Sequence, residues 1–242
     1  MRLLVTRPQP EAERQAGKLA KLGHEAIVEP LLNIEFLNPR PLLVTGAQAL
    51  IVTSRNALRA LTRHDDFRTA LNIPLFAVGK ATSRLAEKLG FATVHEGGGT
   101  AEELMPLIAS LCVPEDGPLV HLAGERLAWD LKGALEREGF SVLQPVLYRA
   151  VPIERFGAQV QEALASGDLQ GVILMSPATA KTFARLIDIH GHAQAAEKLA
   201  CFCLSKNVAA GLESLDGARI SIADAPSEDH LLALIGREAA NC

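Results

Sequence analysis

The sequence predicts an α/β protein made of two flavodoxin-like parallel-sheet domains, and three observations carry that reading. Apolar runs of strand length alternate with helical stretches along nearly all 242 residues, as in parallel sheets covered by helices. Ten such strands divide better into two sheets of five than into one twisted sheet of ten. The order of motifs also repeats. Leu4-Val5-Thr6-Arg7 opens a unit ending at Glu29-Pro30-Leu31-Leu32, and Leu119-Val120-His121-Leu122 opens a second ending at Gln144-Pro145-Val146-Leu147. Ile51-Val52-Thr53-Ser54 is followed by Phe76-Ala77-Val78-Gly79-Lys80, just as Ile173-Leu174-Met175-Ser176 is followed by Phe202-Cys203-Leu204-Ser205-Lys206. The chain therefore reads as internally duplicated, with two walls that could enclose a large ligand.

Each element has a local reason. Strand 2–6 leads into helix 9–22, with Pro8 where a first helical turn tolerates proline, and strand 25–29 follows. Strand 49–53 leads into helix 55–63, and strand 74–78 into helix 80–89, which Gly90 stops. After strand 92–95, Gly97-Gly98-Gly99 reads as a flexible approach to helix 100–111. Thr100-Ala101-Glu102-Glu103 fits a capping box there. The second half runs strand 118–122, helix 127–138 closed by Gly139, strand 141–147 and helix 155–165. It continues with strand 171–175, helix 177–189 with Pro177 at its start, strand 200–204, helix 206–214, strand 218–223 and helix 227–239.

Two Pro-containing extended stretches break the rhythm, Asn33 to Pro41 and Leu147 to Pro152. Reading both as linkers puts residues 1–33 plus 153–242 in one discontinuous domain and 40–146 in the other, with linkers 34–39 and 147–152. Each domain then combines parts of both repeats, and the two crossings make a hinge.

Bulk composition excludes several classes. With 48% apolar and 21% charged residues the chain is an ordinary globular one, and no apolar run approaches the ~20 residues of a membrane span. Arg2 is followed at once by a strand, which leaves no room for a signal peptide. Cys112, Cys201, Cys203 and Cys242 form no CxxC pair. Cys201 and Cys203 point the same way from a buried strand, so packing is expected rather than metal or disulfides, in a reducing cytoplasm. A net charge of −4 with one Trp, one Tyr and eight Phe argues against nucleic acid. His190-Gly191-His192 has no third ligand near in sequence, and the triple glycine matches no nucleotide loop.

The motifs together resemble the uroporphyrinogen-III synthase family over essentially the whole chain. The resemblance rests on Val5-Thr6-Arg7-Pro8, Val52-Thr53-Ser54-Arg55-Asn56-Ala57, Ala77-Val78-Gly79-Lys80-Ala81-Thr82, Leu147-Tyr148-Arg149, Met175-Ser176-Pro177-Ala178-Thr179-Ala180 and Ala225-Pro226-Ser227. It implies two α/β domains on a two-strand linker and an active site in the cleft between them. It also implies no metal or organic cofactor, and a linear tetrapyrrole, hydroxymethylbilane, as substrate. The product would be uroporphyrinogen III, formed with loss of water and inversion of ring D. A monomer is expected, with no nucleic-acid or membrane partner.

Residues just beyond the strands are the candidates for contact, because ligands of open parallel sheets gather there beside helix N-termini. Arg7, Arg55, Lys80, Arg126, Lys181 and Lys206 place cations at that edge, suited to the eight carboxylates of the substrate; solvated surface charge is the plainer reading. Glu96, Glu125 and Asp224 at similar strand ends temper it. Ser54, Ser176 and Ser227 read as helix caps that could also hold a carboxylate. No Gly-x-Ser-x-Gly elbow surrounds them, so they are not nucleophiles. The candidate substrate-binding set is Arg7, Thr53, Ser54, Asn56, Lys80, Arg126, Ser176, Thr179, Ser205, Lys206, Asn207 and Ser227. Tyr148, the single tyrosine, is the catalytic candidate by resemblance, assisting loss of the substrate hydroxyl; a packed strand tyrosine is the alternative. Ser205-Lys206-Asn207-Val208 departs from the family, where a glycine and paired threonines are expected. A rival from another class is a non-catalytic two-lobed module that binds an anionic small molecule.

Overall fold

Apolar residues fill consecutive strand positions because both faces of each sheet are buried. The computed structural model describes residues 1–39, 42 and 44–240; Arg40 and Pro41 of the first linker reading, and Cys242, lie outside the described residues. The strands are β1 (Arg2–Val5), β2 (Glu25–Val28), β3 (Leu32–Phe36), β4 (Ala49–Val52), β5 (Leu75–Ala77) and β6 (Val94–Glu96). They continue as β7 (Leu119–Gly124), β8 (Val142–Leu143), β9 (Val146–Pro152), β10 (Gly171–Leu174), β11 (Ala200–Cys203) and β12 (Arg219–Ile222). The chain divides into two units, Met1–Asn33 with Val151–Cys242, and Ile34–Ala150.

In the first unit a parallel sheet runs β12-β11-β10-β1-β2. Residue alternation sorts its side chains onto two faces. Leu4, Val172, Leu174, Cys201 and Cys203 pack into one cluster with Phe156 and Phe183. Leu3, Val5, Ile173 and Phe202 pack into the other, under Leu231 and Ile235 of the helix Glu228–Ala240. Burial pushes the Cys201 and Cys203 thiols up to about 12, so both stay protonated and act as small apolar side chains.

In the second unit the path is β3-β9-β7-β4-β5-β6, with β8 also on β7. Leu50, Val52, Leu75, Ala77, Val120 and Leu122 face one cluster. Ala49, Ile51, Phe76 and Leu119 face the other, beneath the helices Leu104–Leu111 and Leu131–Arg137. The first unit has the flavodoxin-like strand order 2-1-3-4-5. Read as β8-β7-β4-β5-β6, the parallel strands of the second unit keep that arrangement, with the chain entering at a different strand.

Several local expectations are corrected. The stretches read as a two-strand linker pair as adjacent strands of one sheet, β3 and β9, so the described residues hold twelve strands rather than ten. The strand expected over 141–147 is broken at Gln144-Pro145, because proline has no N–H for the ladder. β8 pairs with Leu119 and Val120, and β9 resumes at Ala123 with an irregular register. Helix 127–138 starts only at Leu131, where the Gly133 N–H donates to Asp130 Oδ1 at 3.0 Å and fixes the cap. The capping-box bonds form: the Thr100 N–H donates to Glu103 Oε2 at 2.9 Å and the Glu103 N–H to Thr100 Oγ1 at 3.2 Å. The first turn nonetheless closes by tight three-residue bonds, from Leu104 N–H to Ala101 O and Met105 N–H to Glu102 O, so the α-helix begins at Leu104.

Pro8 precedes a helix that starts at Glu11. The last turn of 206–214 is 3₁₀, and short helices form at Phe67–Ala70 and Ala193–Ala196, where the sequence pattern predicts none. The triple glycine is hydrogen-bonded to the neighbouring strand. The Gly97 and Gly99 N–H groups donate to Ala77 O and Val78 O, each at 2.8 Å, and a Cβ on Gly97 would come within 2.6 Å of Leu104.

Candidate functional site

A recess of about 540 Å³ opens at the carboxyl edge of the second unit's sheet, within the range usual for small-molecule sites, about 300–1,000 Å³. Its parts come from four strands. Thr53 follows β4, Val78 follows β5, Gly124 ends β7 and Tyr148 lies on β9. Gly99 to Glu102 form one wall; Leu127, Ala128 and Trp129 form another, with Arg126 beside them. The irregular 127–130 stretch, held open by the Asp130 cap, supplies the apolar wall that a helix there would have replaced.

Tyr148 lies against the Gly124 backbone so closely that a Cβ on Gly124 would sit 2.5 Å from the ring's Cζ and 2.7 Å from its hydroxyl. Only glycine allows that approach. The half-buried Tyr148 lines the recess and makes no side-chain hydrogen bond to another described residue.

His121 is 1% exposed, on the centre of β7. Its Nδ1 is 2.8 Å from Gln144 Nε2, and its Nε2 is 3.4 Å from Thr53 Oγ1. Burial lowers its pKa to about 4, so the imidazole is neutral at physiological pH.

Of the sequence candidates, the recess brings together Thr53, Arg126 and Tyr148. Ser54 stands beside Thr53 and caps the helix Arg55–Leu61, accepting from the Asn56 N–H at 3.2 Å. Asn56 Oδ1 accepts from Arg59 at 2.8 Å. Lys80 opens the helix Lys80–Leu89 and is exposed.

The other candidates lie at the carboxyl edge of the first unit's sheet. Ser176 accepts from the Thr179 N–H at 3.2 Å and pairs with the buried Thr179 hydroxyl at 2.7 Å. Ser205 accepts from the Val208 N–H at 3.4 Å, while Lys206 and Asn207 are exposed. Val208 packs in the core. Ser227 caps the last helix through the His230 N–H at 3.3 Å and bonds the His230 ring at 2.7 Å. Replacing Ser176 by alanine is expected to cost about 1 kcal/mol, measurable as a lower urea midpoint.

Cations at the two edges differ in their partners. Arg7 is held by Glu228 at 3.0 Å, and Lys18 bonds the same carboxylate. Lys80, Arg126, Lys181 and Lys206 form no salt bridge with another described residue, and all four are exposed. His190 ends a helix, accepting at Nε2 from the Phe156 N–H at 3.3 Å and packing its ring on Phe156. No cluster of three or more metal-ligating side chains occurs among the described residues, and no helix there is long and apolar enough to cross a membrane.

Sequence reasoning missed His121, Gln144, Gly124 and the Trp129 wall. A signal for His121 was present, since it is the one polar side chain in the run Leu119–Ala123.

A family model described as "Uroporphyrinogen-III synthase HemD" matches residues 13–233. Among solved structures, uroporphyrinogen-III synthetase from Helicobacter pylori is similar at TM-score 0.67 and 21% identity, covering 97% of each chain. A mutant uroporphyrinogen III synthase from Thermus thermophilus is similar at TM-score 0.58 and 18% identity, covering 99% of this chain and 98% of that one. These two likenesses establish the fold. No curated protein sequence matches.

Proposed function

Because this chain belongs to the uroporphyrinogen-III synthase family, we propose that its recess receives the hydroxymethyl-bearing end of hydroxymethylbilane and that the protein closes it to uroporphyrinogen III. The observation that carries the proposal is Tyr148, which lines the recess with Thr53 and Arg126. Breaking the C–O bond of the hydroxymethyl group releases hydroxide and leaves a conjugated azafulvene cation. A phenol at that bond can hydrogen-bond to the departing oxygen or give it a proton, so that water leaves. The substrate's own pyrroles then supply the nucleophile. What remains for the protein is orientation, which by itself can account for a large share of rate enhancement.

Arg126, exposed and without a described partner at the rim, suits an acetate or propionate side chain. The apolar Leu127-to-Trp129 wall suits the face of a pyrrole. Lys80 and the Ser54 cap offer further carboxylate contacts at the same sheet edge. Lys206, Asn207 and the capped helix starts at Ser176, Ser205 and Ser227 are the corresponding anion-binding candidates of the first unit's own sheet edge. A monomeric, cytosolic enzyme that uses no metal or organic cofactor completes the reading.

The test is to supply hydroxymethylbilane, oxidise the products and separate the type I and type III porphyrins. Type III porphyrin is expected; only type I, at the rate seen without protein, would remove the proposal and leave a binding module. Tyr148→Phe is expected to lower kcat about 10- to 100-fold with an unchanged thermal midpoint. Full activity in that variant would make Tyr148 a packing residue. Arg126→Glu is expected to raise KM more than it lowers kcat, by reversing the charge that meets a substrate carboxylate.

A further inference from the structure

We propose that His121 is a positioning residue that turns the Thr53 hydroxyl outward, as a hydrogen-bond donor into the recess. The inference rests on the recess being the substrate site. The contacts that matter begin at the break between β8 and β9. Proline at 145 interrupts the ladder, and the Gln144 side chain reaches the His121 ring, with Nε2 2.8 Å from Nδ1. A carboxamide nitrogen only donates. With the amide nitrogen toward the ring, Nδ1 accepts, and the ring proton of a neutral imidazole resides on Nε2.

That Nε2 lies 3.4 Å from Thr53 Oγ1. With a proton on the ring nitrogen, the hydroxyl oxygen is the acceptor and its own proton must point elsewhere. Thr53 lines the recess, so that proton is offered to an oxygen acceptor placed there, a carboxylate of the ligand or its departing hydroxyl. The face that carries His121 is mostly apolar, with Ile51, Phe76 and Leu119 on it and the His95 ring stacked on Phe76. An imidazole there is costly unless both nitrogens are engaged, and a leucine would pack more simply. Two partners at the two ring nitrogens give the polar group a purpose that packing does not.

Two measurements decide the matter. The first is the nitrogen-15 spectrum of the histidine rings in the whole protein at neutral pH, with His121 assigned through the backbone. The Nε2–H tautomer is expected. An Nδ1–H tautomer or an imidazolium would overturn the proposal, and no variant is needed to see it.

The second is the kinetics of a small set of variants. Thr53→Val is expected to lower kcat about 10-fold, the scale of one lost hydrogen bond, and Thr53→Ser to recover most of that loss. His121→Leu should lower kcat similarly, yet add little in the Thr53→Val background, because both changes act through one hydroxyl. Full activity of Thr53→Val, or independent additive losses, would overturn the proposal. If the wild type forms no type III isomer, the functional reading falls, whereas the tautomer spectrum still scores the hydrogen-bond chain.

Discussion

Gly124→Ala is expected to lower turnover about 100-fold while costing about 1 kcal/mol or less in stability. The added Cβ would stand 2.5 Å from Tyr148 Cζ and 2.7 Å from its hydroxyl, inside any real contact distance. The backbone of β7 is held in the sheet, so the ring yields. A ring tip beside an open recess moves cheaply, which keeps the stability cost within the range of a mild substitution. The catalytic cost is larger, since a misplacement of ~1 Å can cost about 100-fold.

The check is steady-state kinetics beside urea unfolding. The same change made in a Tyr148→Phe background should cost far less, because the hydroxyl it displaces is already gone. An active Gly124→Ala protein would mean that the place of the hydroxyl does not matter, and the role given to Tyr148 would fail with it. Sequence reasoning singled out Tyr148 but not Gly124, for a physical reason. The need for glycine comes from a side chain on a paired strand, far along the chain, and no local pattern records it.

The second large effect is a loss of stability in mild acid to which the His121 ring makes the largest histidine contribution, beside smaller ones from His24 and His192. Burial lowers His121 from its ordinary 6.5 to about 4. The unfolded chain therefore binds a proton between those values that the folded chain refuses. Stability from this group is fully present above pH 6.5, is lost progressively as pH falls, and is gone below about 4. The gap corresponds to about 3 kcal/mol, as an order of magnitude.

Trp129 is the single tryptophan and stands in the same unit, so urea unfolding followed by its fluorescence at about pH 7, 5.5 and 4.5 reports the effect. Carboxylates also titrate in acid, so the informative quantity is the difference between the wild type and His121→Gln, which has no proton to take up. The variant is expected to show the shallower acid limb. Parallel limbs would mean that the ring is accessible to protons in the folded state.

Features that act within a few residues of themselves were legible before any fold was known. Unbroken apolar runs such as Leu50 to Val52 and Gly171 to Leu174 announced strands covered on both faces. The αL glycine at 90 and the serine caps at 54 and 176 placed helix ends, because each acts on backbone groups no more than about four positions away. Pattern also put Thr53 and Arg126 at the edge where ligands gather, while Tyr148 was singled out by family resemblance.

The folded sheets decided how those residues act together. Strand pairing, not periodicity, sets His121 between Gln144 and Thr53, and lays Tyr148 on Gly124. It made the two linker stretches, as β3 and β9, neighbours in one sheet. It also pinned the triple glycine by two hydrogen bonds to the strand beside it, and sent Arg7 to Glu228, 221 positions away. Such contacts depend on which strands become neighbours, and strand order is a property of the folded sheet that no short stretch of sequence contains.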